Sequence, residues 1–224
     1  GLQAGAEAGE AAVAAGAPAI LVCGGEACRD ERGARLAVRA AAGALAFFSA
    51  GHYKQRRDFD AADGANPHRA RFEGVDFARL SAAMVLDREA IDTLANFTTF
   101  VRHLRLHGQR TSQPPLDASV VDVVVVTCPY HARRARAVAA VVLGSQGLSF
   151  VMDYASPGPG SSEEEHAAVV RRGPLETRLR CARDVVRAVL WVLTGFEGDA
   201  VAAWVHTRRR DFRAWHRAQQ GKQR

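Results

Sequence analysis

The sequence predicts an α/β fold, a three-layer sandwich in which a mostly parallel sheet of about five strands carries helices on both faces. Three observations predict it. Short apolar runs recur along the chain and alternate with stretches rich in helix-forming Ala, Arg, Leu and Glu. The strongest run, VVDVVVV over residues 120–126, is broken only by Asp122, which is the pattern of a central strand buried on both faces. Several runs stop at small or polar residues, at Gly24-Gly25, Ser49-Ala50-Gly51 and Thr127, as strands do where they hand over to a loop.

The elements follow in order. Residues 1–16 are Ala/Gly-rich without Arg; they read as a flexible lead-in and do not resemble a transit peptide. Residues 18–23 (PAILVC) form the first strand, closed by Gly24-Gly25, and residues 28–42 the first helix. Residues 45–48 form the second strand. From 52 to 74, charge, Gly64 and Pro67 dissolve the pattern into a long loop, which in a compact domain is functional or mobile. Residues 82–86 give the third strand, and 87–106 an element that turns helical near Asp92. After a polar linker over 107–119 come the fourth strand, 120–126, its helix from about 130 to 143, and a fifth strand, 148–152. A Pro/Gly/Ser/Glu loop then leads to a helix over 176–194. Its apolar residues Ala182, Val185, Val186, Val189, Leu190 and Leu193 keep helical spacing, Trp191 is expected to help pack it onto the sheet, and Gly195 caps it. One domain thus spans 17–195, and 196–224 is a basic helical extension with Val201, Trp204, Val205 and Trp215 as apolar residues.

Composition narrows the function classes. With 224 residues, 48% of them hydrophobic, the chain can bury one substantial core, and length favours one domain over two. Of the 30 basic residues only Lys54 and Lys222 are lysines, an Arg excess that genome-wide composition explains more simply than selection for binding. The net charge of +6 resides in the segment 206–224, where seven Arg and Lys face the single Asp211, so the body is neutral. The interleaved RRRDFRAWHR of this tail lacks any recognised nucleic-acid module, and nucleic acid is not the expected partner. No apolar run reaches the roughly 18 residues that span a bilayer. Cys23, Cys28, Cys128 and Cys181 lack paired zinc-ligand spacing; scattered in apolar context, they read as small hydrophobes in a reducing compartment. His103 and His107 have the i, i+4 spacing of helical metal ligands, but LRL between them lacks a catalytic Glu, and a solvated pair is expected.

The combination of CGG after the first strand, SAG after the second, DREAIDTLANFTTFV over 87–101, VTCPYHARRARAVAAVVLGSQG over 126–147 and RDVVRAVLWVLTG over 183–195 resembles the YdcF-like family, domain of unknown function 218, with SanA and ElyC as relatives. The likeness is closest to the form associated with cyanobacteria and plastid-bearing eukaryotes, and it departs in the loop over 52–74. The resemblance implies a Rossmann-like fold and a site built from Gly24, Gly25, Ser49, Gly51, Thr93, Asn96, Thr127, Tyr130, His131 and Arg134. It also implies a link to envelope or membrane-lipid processes, with a plastid or membrane-associated setting. For chemistry it implies S-adenosylmethionine as a ligand of some members, or hydrolysis of phosphate or pyrophosphate substrates.

The same residues can be read from physical chemistry. Gly24-Gly25 at a strand end lets backbone N–H groups approach a ligand, and the following helix N-terminus favours phosphate or carboxylate; a simple tight turn is the alternative. Glu26 sits awkwardly beside an anion, which favours a ribose-like hydroxyl or a metal-bridged phosphate. Thr93 and Asn96 share a helix face, with Asp92 or Thr93 available as the N-cap and Asn96 to clamp a loop or a ligand hydroxyl. His131 is the best candidate for acid–base chemistry, because it follows a buried strand and lies among Arg133, Arg134 and Arg136. Those cations and the helix N-terminus should disfavour its charged form. Arg134 would hold an anionic oxygen pair in its fork. Ser49 also ends a strand, but without a G-x-S-x-G elbow a hydroxyl that holds phosphate is favoured over a nucleophile. Two functions follow: an enzyme acting on a phosphorylated or pyrophosphate-linked small molecule or lipid head group, or a non-catalytic binder of a nucleotide-like ligand. A lipid substrate predicts an apolar groove beside His131 formed by the loop over 52–74; a nucleotide-like ligand predicts an acidic residue near Gly24-Gly25.

Overall fold

The computed structural model describes residues 2–49, 55–66, 68–90, 92–108, 121–156 and 178–196. Five strands, β1 (Ala19–Val22), β2 (Leu45–Phe48), β3 (Met84–Leu86), β4 (Val123–Thr127) and β5 (Phe150–Tyr154), form one sheet. Their order is β3-β2-β1-β4-β5 and every pairing is parallel. The chain builds outward from β1 to β3, then returns to the other side of β1 to add β4 and β5. Strand order therefore reverses between β1 and β4, the place in an open α/β sheet where adjacent loops diverge and leave a crevice.

Both faces of the sheet are covered. Ile20, Val22, Phe48, Val124 and Val126 pack on one side with helices α1 (Leu2–Ala14), α2 (Ala27–Ala37) and α3 (Phe77–Ala83). Leu21, Phe47, Val123 and Val125 point the other way, onto α4 (Thr93–Gly108) and α5 (Pro129–Val142). The alternation along β1 and β4 explains why the central strands need apolar residues at every position: each successive side chain enters a different core. A last helix, α6 (Arg178–Thr194), leans on α5 and α4.

Several elements differ from the sequence expectation. The segment expected as a flexible lead-in is helical over Leu2–Ala14 and docks on β5, with Ala12 and Val13 buried. Its anchors are long-range and polar. Arg32 of α2 donates Nε and Nη2 to the two carboxylate oxygens of Asp153, each at 2.9 Å, and Nη1 to Glu10 at 2.8 Å. Gly9 lies directly against the Asp153 carboxylate, where a Cβ would collide with Oδ2. The third strand begins two residues later than expected, because residues 77–83 form α3 with Asp76 as its side-chain cap. Within the long loop, two 3-10 turns (Arg56–Phe59 and Arg69–Phe72) bury Phe59 and Phe72, whose rings pack with Phe48 and with each other.

The largest departure is the orientation of α6. Its expected core stripe is largely exposed: Val186 is 58%, Leu190 45% and Leu193 74% accessible. The inward face carries Asp184, Arg187, Ala188 and the partly buried Trp191 instead. Asp184, fully buried, meets Arg134 at 3.4 Å, Arg183 at 2.8 Å and Arg187 at 3.5 Å, and Arg187 reaches on to Asp92 at 2.9 Å. Ionic geometry thus outweighs the helical hydrophobic period in setting which face docks. The extension over 197–224 lies outside the described residues.

The close approach of α1 to β5 is directly testable. Gly9→Ala is expected to lower stability by about 1–3 kcal/mol through overpacking against Asp153, read as a lower urea midpoint; a lead-in that packs on nothing would leave the midpoint unchanged.

Candidate functional site

At the carboxyl end of β1 the chain passes through Cys23, Gly24, Gly25 and Glu26 into α2. Gly25 adopts φ +128°, a conformation that L side chains rarely adopt, and a Cβ there would lie 3.2 Å from Nη1 of Arg29. At the end of β4, Thr127 and Cys128 lead into α5, with Cys128 as N-cap and Pro129 in the first turn, where its missing N–H costs nothing. The amino termini of α2 and α5 therefore start side by side at the point where strand order reverses.

Between them lies Arg29, only 1% exposed. Its Nε donates to Cys128 Sγ at 3.0 Å, Nη1 to the carbonyls of Gly24 at 2.5 Å and Cys23 at 3.5 Å, and Nη2 to the Tyr130 hydroxyl at 3.1 Å. None of these partners is a carboxylate. Cys28, on the first turn of α2, places its sulfur 3.6 Å from Cys128 Sγ. The Cys28 hydrogen bond, together with the charge and Nε–H of Arg29, holds Cys128 at about 6, well below the ordinary 9.0, against the opposing effect of burial. Cys28 is correspondingly pushed up by that same bond. Cys23 is also raised, to about 11, by burial. The cysteines at 28 and 128 are thus not the inert small hydrophobes the sequence suggests: they form a polar cluster on a buried cation.

Tyr130 extends the cluster outward. Burial pushes its hydroxyl up to about 12, so it stays protonated and donates to Glu26 Oε1 at 3.2 Å. Its ring stacks on His131 with centroids 5.3 Å apart. Arg134 Nη2 lies 2.9 Å from His131 Nδ1 and 3.1 Å from Nε2, while Nη1 reaches Asp184 at 3.4 Å. Desolvation, then Arg29 and Arg134, lower His131 to about 3. The direction is the one expected from the sequence, and it makes the free imidazole a neutral hydrogen-bonding group and a weak base. An anion placed beside these cations offsets their field and raises its proton affinity.

A second group gathers at the ends of β2 and β3. Ser49 Oγ lies 2.9 Å from Asn96 Oδ1 and 3.1 Å from Asp87 Oδ2, and Thr99 Oγ1 donates to Asp87 at 2.8 Å. Ser49 is buried and bonded within this network, so it is not poised as a nucleophile with His131 as its base. Asn96 does clamp a neighbouring loop, as one reading of its position expects. Of the two candidate N-caps of α4, Asp92 fills the role by accepting from Ala95 N at 2.9 Å, which leaves Thr93 buried on the first turn. Thr127 Oγ1, fully buried at the end of β4, has no partner within hydrogen-bond geometry among the described residues and interacts with the Cys23 thiol.

The sheet thus brings Gly24, Gly25, Ser49, Thr93, Asn96, Thr127, Tyr130, His131 and Arg134 to one carboxyl edge, while Gly51 lies outside the described residues. Arg29 and Cys128 are the residues that sequence reasoning missed. A signal existed: Arg29 shares the buried face of α2 with Gly33 and Leu36, an unusual place for a charge. In the described part of the long loop Phe59 and Phe72 enter the core; a cavity of about 700 Å³ lies at the opposite edge of the sheet, beside the strand starts Ala19, Leu45, Met84 and Val123. The His103 ring is partly buried against Phe47, with centroids 5.3 Å apart and planes tilted by 50°. Among the described residues no group of three His, Cys, Asp or Glu side chains is placed to hold a metal ion, and no helix is long and apolar enough to cross a membrane.

Models of known families, curated proteins and solved structures were each compared with the chain, and none matches.

The lowered pKa of His131 has a measurable consequence. Above the ordinary value of 6.5 the imidazole is neutral in both folded and unfolded chains; as pH falls from 6.5 towards about 3, the unfolded chain takes up a proton that the native site refuses. This contribution to stability is therefore complete above 6.5 and lost as pH falls through that window, by up to about 1.4 kcal/mol per unit. His131→Asn is expected to show a shallower decline than the wild type in urea unfolding over the same range, and an identical slope would place the imidazole in water.

Proposed function

We propose that the crevice at the β1/β4 switch point binds an anionic, phosphorylated ligand, and that the chain is a hydrolase of phosphate or pyrophosphate esters related to the YdcF-like family. One observation carries the reading: Arg29, buried with no carboxylate among its described partners, sits at the amino termini of α2 and α5, and the Thr127 hydroxyl ends β4 at the same sheet edge. A phosphate group suits that combination, since it accepts several hydrogen bonds at once and is drawn to the positive ends of the two helices. The family reading is supported by its motif residues meeting at one sheet edge.

The chemistry follows from charge. His131 is neutral in the free site, and an arriving phosphate between Arg29 and Arg134 raises its proton affinity, so the imidazole can exchange a proton with water or with a leaving oxygen once ligand is present. Arg134 is held by Asp184, which orients its fork towards the imidazole. The end of β2 offers Ser49, where dinucleotide-binding sheets place an acidic residue on the ribose, and this favours a phosphate ester or pyrophosphate over a dinucleotide. A second reading, non-catalytic binding of a nucleotide-like ligand such as S-adenosylmethionine, is favoured by Glu26, whose carboxylate stands next to Gly25 and accepts from Tyr130.

Thermal shift with inorganic pyrophosphate, isoprenoid pyrophosphate, ADP and S-adenosylmethionine, alongside a phosphate-release assay, separates these outcomes. Pyrophosphate is expected to raise the melting temperature with concentration, and Thr127→Val, which removes only a buried hydroxyl, is expected to weaken that binding about tenfold, equivalent to about 1.4 kcal/mol, without lowering the stability of the free protein. A response to the isoprenoid ester but not to pyrophosphate identifies a lipid source; stabilisation by S-adenosylmethionine alone, with no phosphate released, supports the second reading. No response to any of the four overturns both.

A further inference from the structure

We propose that Cys128 and Cys28 form a peroxide-reactive dithiol at the switch point, with Cys128 as the attacking sulfur and Cys28 as the resolving one. The inference goes beyond ligand binding and does not depend on it. Three features of geometry carry it. Cys128 Sγ accepts from Arg29 Nε at 3.0 Å, a buried guanidinium with no carboxylate partner among the described residues, so a thiolate there is its countercharge. Cys128 is the N-cap of α5 and makes no side-chain cap bond, which leaves its sulfur directed to Arg29 and Cys28 within the field of the helix terminus. The two sulfurs stand 3.6 Å apart, in contact with each other across the β1/β4 switch point.

The chemistry balances with a hydroperoxide as oxidant. The Cys128 thiolate attacks one oxygen of hydrogen peroxide; an S–O bond forms, the O–O bond breaks, and the departing hydroxide takes a proton to become water, leaving Cys128 as sulfenic acid. The Cys28 sulfur then attacks the Cys128 sulfur, the S–S bond forms, the S–O bond breaks, and hydroxide leaves with the Cys28 proton as a second water. Two electrons pass from the cysteine pair to the peroxide. Cys23 takes no part, because it lies in the core on the opposite face of the sheet and burial keeps it protonated, raised to about 11. Oxidation removes the negative charge beside Arg29, so the redox state of this pair sets the charge beneath the crevice.

The test uses the full chain, reduced, exposed to hydrogen peroxide, then denatured and alkylated for peptide mass mapping. The expected product joins the peptides carrying Cys28 and Cys128, with Cys23 and Cys181 still alkylatable, and forms at least about tenfold faster than any oxidation of Cys181 although the latter is more exposed. Cys28→Ser is expected to accumulate a dimedone-reactive Cys128, and Cys128→Ser to abolish both cross-link and adduct. Oxidation of Cys181 ahead of Cys128, or a Cys28 that still oxidises in Cys128→Ser, overturns the proposal. Should a serine variant fail to fold, the wild-type rate decides: it is expected to stay flat from neutral to alkaline pH, and a rise of about tenfold per pH unit, the behaviour of an ordinary thiol, overturns it.

Discussion

A guanidinium taken out of water is costly unless something nearby returns what hydration supplied. Arg29 is that group here, and its donors tie together the Gly24 turn after β1, the N-cap of α5 after β4, and the Tyr130 hydroxyl. The turn after β1 and the start of α5, which meet where the strand order reverses, are thereby fixed to one cation on α2. The left-handed Gly25 is a direct consequence, because a side chain at that turn would press on the same guanidinium. The depressed Cys128 follows from the Cys28 hydrogen bond together with this guanidinium, whose Nε–H it accepts at 3.0 Å.

A second ionic cluster supports the first from outside. Asp184 gathers Arg134, Arg183 and Arg187, and Arg187 passes the connection on to Asp92 at the start of α4. This network turns α6 so that Asp184 and Ala188 face inward and leaves Val186, Leu190 and Leu193 in solvent. It also fixes Arg134 beside His131, and the imidazole between Arg134 and Arg29 is held neutral. Burial is the first cause of that neutrality, and the cation that the α6 network holds beside the ring adds to it.

Much of the sheet was legible in the sequence, because a parallel sheet covered on both faces writes itself as uninterrupted apolar runs; VVVVT of β4 is buried at every position. The site's address was legible for the same reason, since small and polar residues ending those runs must collect at one edge. What escaped has a common cause in contacts between distant residues. Helix α1 shows no strong apolar stripe and is held by Arg32 reaching Glu10 and by Asp153 against Gly9, pairings that no local pattern encodes. The face of α6 was misjudged because Asp184 finds three arginines that spacing cannot foresee. Arg29 was hidden by the general abundance of arginine, and Cys128 by the fact that its acidity comes from residues a hundred positions away.

The central claim is that the positive charge of Arg29 is balanced by a thiolate on Cys128. Ultraviolet absorbance of the thiolate, followed through a pH titration of the native full chain, measures this most directly. The account predicts one thiol ionising near about 6, absent in Cys128→Ser and moved upward, towards 9.0, in Arg29→Met. A native chain in which no thiol ionises below the ordinary range, or one whose early transition survives in Arg29→Met, would contradict it.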